Sequence, residues 1–266
     1  MKSTPFTAHL CLVTFFISQM ISACSAPSTE PTLPTPQVVT VSFTPALKPL
    51  LVAVSTCAMQ QPEIALFVNE VSAPFLEIQE SGIALRLGYP ENSNAFSVPL
   101  AMEEIVIIVH PSNPVNTLSN ANLVDLFTGK ITNWLNVRGK NTEVQVWMNF
   151  LDDDLHQIVQ DELLLDNPPT TLANLAPNPE AMLMAVERDP SAIGYLPRSW
   201  LSKEVKTVRI FPDISNMLTQ PVLALTKEEP HDEIRGLLHC LQSGIGQEII
   251  QERYNWQKYP DSNLGE

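Results

Sequence analysis

The residue types that hold or transform small molecules are scattered along this 266-residue chain. His9, His110, His156, His231 and His239 show no metal-ligand spacing such as H-E-x-x-H. There is no G-x-S-x-G serine and no phosphate-binding P-loop. Asp152, Asp153 and Asp154 form a run of carboxylates, but it lacks the glycine and the closing glutamate of an EF-hand loop. At a predicted helix start such a run reads first as capping and first-turn charge. No catalytic constellation emerges, so the chain is not expected to be an enzyme, and no cofactor or metal is expected. Two other features remain. Thr44-Pro45 follows the β-branched run VVTVSF, giving a strand, a polar cap and a helix whose N-terminus suits an anion. A plain N-cap is the simplest single role for Thr44. Arg86 interrupts the apolar strand IALRL, either as a ligand or hinge arginine at a cleft or as half of a salt bridge at the strand end.

The elements that must position these groups have a globular composition, with 44% hydrophobic and 17% charged residues. The formal charge is −14, and since residues 1–23 carry Lys2 and no acid, the remainder stands at −15. Such a balance argues against nucleic acid and against docking on anionic lipid, and it opposes long-range steering of small anions. Lys2 and His9 mark a short polar start, and Leu10 to Ile21 is an apolar run of signal-peptide length. It ends in ISAC, residues 21–24, followed by the proline-rich stretch SAPSTEPTLPTPQ, an extended tether. ISAC resembles the lipobox of bacterial lipoproteins, which implies lipid on Cys24; the other reading is an ordinary cleaved signal with a chance cysteine. Cys11 leaves with the signal. Cys57 and Cys240 remain, either as a disulfide in an oxidising compartment or as two buried thiols.

Residues 38–43, 64–71, 83–87, 95–100 and 103–110 read as strands, the last nearly all Ile and Val. A helix follows Thr44, with Leu47, Leu50, Leu51, Val54 and Ala58 on one stripe, and Ser72 starts a short helix to about Gln79. Further on, residues 143–148, 191–196, 205–210 and 221–226 are predicted strands. Residues 152–165, 179–188 (capped by Asn178), 198–202, 232–243 and 245–256 are predicted helices. NANLVDLFTGKITNW, residues 120–134, reads as a helix capped by Asn120 or Asn122, with Leu123, Leu126 and Phe127 inward, a stop at Gly129 and a buried Trp134.

FTGKITNW resembles a signature of the phosphate-binding subunit of bacterial phosphate ABC transporters, in its lipoprotein form. EEIVIIVHPSNPV (residues 103–115) and AVERDPSAIGYLP (residues 185–197) resemble two further stretches of that family, in the family's order, and the likeness runs from about Val38 to Tyr259. It implies an α/β, two-lobed type 2 periplasmic-binding-protein fold, each lobe a mixed β-sheet flanked by helices, joined by two crossover strands. Residues 1–23 would be the signal peptide, 24–37 the tether, 38–110 and 221–266 lobe one, and 111–220 lobe two. In that fold the first and terminal helices pack together, so Cys57 and Cys240 can meet.

The candidate ligand residues are Ser42 and Thr44, the nearest matches to the Ser/Thr ligands of the resembled family, together with Ser72, Arg86 and Asn149. The family's second-lobe turn supplies hydroxyls to an oxyanion, whereas WMNFLDDDLH, residues 147–156, supplies carboxylates and only Asn149 as a neutral donor. Like charges within a few ångströms oppose an anion there. The expected role is solute capture for an ABC importer. The alternative is a ligand-free, degenerate binding-protein lipoprotein acting as adaptor or sensor partner. The expected partners are a small-molecule or anion ligand, an ABC permease and, through lipid, a membrane. The protein is expected to be a monomer, extracytoplasmic and anchored to the bacterial cell membrane.

Overall fold

The computed structural model describes residues 35–90, 94–165 and 167–254. The expected signal segment, Cys24 and the tether up to residue 34 lie outside them.

In chain order, β1 (Gln37–Phe43) leads through a 3-10 segment, Pro45–Leu50, into α1 (Leu51–Met59), followed by β2 (Ile64–Glu70), β3 (Gly82–Leu87) and β4 (Phe96–Val109). β5 (Thr117–Ser119), α2 (Asn120–Phe127), β6 (Gln145–Asn149), α3 (Asp154–Val159), β7 (Asn174–Ala176), α4 (Pro179–Arg188) and β8 (Ala192–Pro197) come next. The chain then passes through β9 (Lys206–Thr207), β10 (Arg209–Phe211), β11 (Thr219–Thr226), α5 (Asp232–Gln242) and α6 (Gly244–Gln251). Among the described residues the main sheet runs β2-β1-β3-β11-β4-β8-β6-β7, with β9 beside β4, while β5 and β10 pair separately.

Two strands join the halves of this mixed sheet. β11 is antiparallel to both β3 and β4. β4 changes partners along its length: residues 96–104 pair with β11, and residues 105–109 pair with β8. The two strands predicted at 95–100 and 103–110 are therefore one, and with β11 it supplies the two expected crossovers. Glu103 sits just before the change of partner and is only 1% exposed. Its Oε1 accepts the Ser199 N–H at 3.2 Å, and burial pushes its carboxyl up to about 7.

Several boundaries move for local reasons. Ser119, not Asn120 or Asn122, caps α2, its Oγ accepting the Asn122 N–H at 3.1 Å. The helix expected from Ser72 shrinks to a 3-10 turn, Ala73–Phe75. No residue of that turn is buried and Phe75 is 72% exposed, so nothing offsets the cost of helix nucleation. α3 starts two residues late and continues as a π-turn, Gln160–Leu164, that ends at a left-handed Leu165.

The stretches that carried the sequence resemblance pack on one another. Phe127 and Tyr195 are fully buried and meet edge-on with centroids 6.0 Å apart. Trp134, 1% exposed, donates its Nε1–H to the Ser191 carbonyl at 2.9 Å. Gly129 ends α2 at φ 76°, where a side chain would be strained and would also strike Thr170. These contacts brace β8 against α2 and so fix β6, the strand that ends at Asn149.

Candidate functional site

The parallel strands β1, β2 and β3 end on one edge of the sheet, the edge where open α/β sheets bind ligands. Phe43 is in register with Glu70 and with Leu85. Thr44, just past Phe43, thus stands beside Arg86 of β3. Thr44 does not cap the following 3-10 segment: its side chain makes no cap bond. The hydroxyl, on a residue 1% exposed, instead donates to Asp154 Oδ2 at 2.7 Å, across 110 residues of sequence.

Asp154 comes from the other side of the β4–β11 pair, at the start of α3. Capping is done by its neighbour Asp153, whose Oδ1 accepts the Leu155 N–H at 2.8 Å. Asp154 Oδ1 also accepts this N–H, at 3.0 Å. Asp153 is 7% and Asp154 3% exposed. Burial raises the pKa of both, and their neighbouring charges oppose joint ionisation. On Asp154 the Thr44 hydroxyl, the Arg86 guanidinium and the Leu87 N–H pull in the opposite direction. His156 Nδ1 lies 3.0 Å from the Asn149 carbonyl, an acceptor only, so Nδ1 carries the proton; burial lowers this imidazole's pKa and favours its neutral form. The Asn149 N–H donates to Tyr195 Oη at 3.0 Å. The Asn149 amide is fully buried, and neither of its side-chain polar atoms has a hydrogen-bond partner among the described residues.

Beside this junction lies a cavity of about 180 Å³, lined in part by Arg86, Leu87, Gly88, Asp154, Gln157 and Gln220. Of the candidate ligand residues, Arg86 lines the cavity and Thr44 bonds one of its walls. Ser42 is 4% exposed within β1, Ser72 is exposed at the end of β2, and Asn149 is sealed in; none of these three lines the cavity. The residue that sequence reasoning passed over is Asp154. Its signal was one of number: a helix start needs a single capping acid, and this one has three.

These features match a known architecture. Residues 34–227 match the family model described as PBP superfamily domain. The chain belongs to the PBP superfamily. No curated protein matches it. Solved structures share its type 2 periplasmic-binding-protein fold at low identity. A protein described as a phosphate ABC transporter substrate-binding protein, with bound phosphate, from Clostridium perfringens has a TM-score of 0.75 at 20% identity, covering 82% of this chain and 98% of that one. An ABC-type phosphate transport receptor from Vibrio cholerae has a TM-score of 0.66 at 20% identity, covering 82% and 99%. The CcmR regulatory domain from Synechocystis, in complex with 2-PG, has a TM-score of 0.59 at 12% identity, covering 77% and 96%. Both transport receptors and a regulatory domain thus share the fold, so the site must decide the function.

Proposed function

We propose that this protein is the solute-capture component of an ABC importer, monomeric, outside the cytoplasm, and tethered to the cell membrane by lipid on Cys24. The superfamily match over residues 34–227 carries this reading. The sheet edge that presents Thr44 and Arg86 toward α3 supports it. Residues 38–110 and 221–266 would form one lobe and residues 111–220 the other, closing about β4 and β11 on the solute. No helix of the described residues is long and apolar enough to cross a membrane.

Two measurements test this reading. Cys24→Ser should move the protein from the membrane pellet to the soluble fraction, because lipid chains supply the anchoring energy; a variant that stays in the pellet has another anchor. A thermal-shift panel of phosphate, sulfate, molybdate, amino acids and sugars should reveal a solute that raises the melting temperature by mass action. Phosphate itself should bind no tighter than roughly 100 μM by calorimetry at neutral pH, since α3 presents carboxylates where an oxyanion needs donors. A dissociation constant of about 1 μM or tighter would restore an ordinary phosphate-capture role.

One observation favours a second reading, a ligand-free adaptor or sensor partner. The Thr44–Asp154 bond joins the two sides of the cleft directly, through the protein's own side chains. An adaptor would leave every solute in the panel without effect on the melting temperature.

A further inference from the structure

The groups gathered around Asp154 have a common character. Thr44 donates its hydroxyl to Oδ2 at 2.7 Å. Arg86 and Leu87 line the same cavity as this carboxylate, and the Arg86 charge and the Leu87 backbone N–H both favour its ionised form. All three come from the ends of β1 and β3, and two of the three are held by backbone geometry or by full burial of the side chain. Together they form a rigid set of donors that favours one thing, a negatively charged oxygen group. Asp154 supplies that group from the opposite side of the cleft, and it is not needed as the cap of α3, because Asp153 already fills that role. A buried carboxylate is tolerated only where donors compensate for its lost hydration. The same pairing read from the other side is a set of oxyanion donors that is already satisfied.

We propose that Asp154 is a built-in occupant of the oxyanion position in this cleft, a tethered carboxylate that holds Thr44, Leu87 and Arg86 and must be displaced before any external oxyanion binds. The proposal rests on reading the cleft as a solute site. It deepens that reading by assigning the ligand class, a small oxyanion, and the element that competes with it. A tethered group competes at high effective concentration, and the apparent affinity for an external anion falls by the fraction of molecules in which Asp154 has withdrawn.

The test is calorimetry of inorganic phosphate at neutral pH with the wild-type protein, Asp154→Ala, Asp154→Asn and Asp154→Ala/Thr44→Val. Asp154→Ala should bind phosphate at least about tenfold tighter than the wild type, the scale of a charge-assisted hydrogen bond released for an external ligand. Adding Thr44→Val should return the affinity toward the wild-type value. Asp154→Asn keeps the shape of the side chain and serves if the alanine variant fails to fold; turning one carboxyl oxygen into an amide NH₂ that cannot accept a hydrogen bond should tighten binding severalfold. Wild-type and both single variants with equal phosphate affinity would overturn the proposal. So would a gain in Asp154→Ala that survives Thr44→Val, because the anion would then sit elsewhere. The importer role fails separately. If the panel finds a solute for the wild type while Asp154→Ala gains no phosphate binding, the importer stands and the occupant falls. If Asp154→Ala gains binding that depends on Thr44 while no solute binds the wild type, the occupant stands and capture for import falls.

Discussion

The Cys57→Ala/Cys240→Ala variant should be less stable than the wild type by about 2–5 kcal/mol and should melt on the order of 10 °C lower. Cys57 on α1 and Cys240 on α5 form a disulfide, with Cα atoms 5.8 Å apart and a sequence separation of 183. A cross-link over so long a loop removes much of the conformational freedom of the unfolded chain, and in the chain-entropy picture its contribution approaches about 5 kcal/mol. The surrounding packing is built for the bridge. α1 lies against both α5 and α6. Gly246 of α6 passes so close that an added Cβ would fall 2.3 Å from the Cys240 carbonyl oxygen and 2.6 Å from Cys57 Sγ. The bridge thus fastens the first helix to the last two and ties the end of the described chain to its beginning. Melting curves with and without reductant check the effect, and non-reducing peptide mapping checks the bond. Identical melting under both conditions, or free thiols at both positions, would remove the bridge from any account of stability.

Glu103→Gln should flatten the dependence of stability on pH, by about 3 kcal/mol between pH 4 and 8. The Glu103 carboxyl moves from an ordinary 4.5 to about 7, chiefly because burial disfavours its charged form. A carboxyl whose folded pKa is raised contributes stability that is fully present below about 4.5 and is lost as pH rises through about 7. The wild type should therefore become less stable from pH 5 toward pH 8, and Asp153 and Asp154 add to the same slope because burial raises them as well. Glutamine keeps an acceptor for the Ser199 N–H and has no proton to lose. Urea unfolding at pH 5 and pH 8, for both proteins, gives the comparison. Equal slopes would mean that water reaches Glu103 and that its burial in β4 carries no electrostatic cost. The residue lies where β4 trades β11 for β8, and Arg198 and Glu104 pair beside it at 2.9 Å. A proton on Glu103 therefore acts at the strand that joins the two halves of the sheet.

Much of the framework was legible in the chain itself. The run VVTVSF had to be a strand because its residues are β-branched and apolar, and β1 spans Gln37–Phe43. Asn178 and Pro179 announced α4, and the Asn178 side chain accepts the Ala181 N–H at 2.9 Å. Gly129, Trp134 and Tyr195 showed where the second half of the sheet is braced, because each reflects a local demand: a left-handed turn, a large buried ring, a hydroxyl that needs a partner. Such demands are met within a few residues or by generic burial, so they leave a trace in sequence. The site left much less. Thr44 read as a cap because a hydroxyl before a helix usually caps it, and Asp154 read as first-turn charge for the same reason. Both readings were local, and neither Thr44 nor Asp154 differs in its own stretch from a residue doing that job. Only the tertiary structure, by folding β1 and α3 onto opposite sides of the β4–β11 pair, brought a hydroxyl and a carboxylate 110 residues apart to 2.7 Å and buried them together. A short-range rule cannot see that contact, because its energy comes from excluding water between two segments that have no relation along the chain.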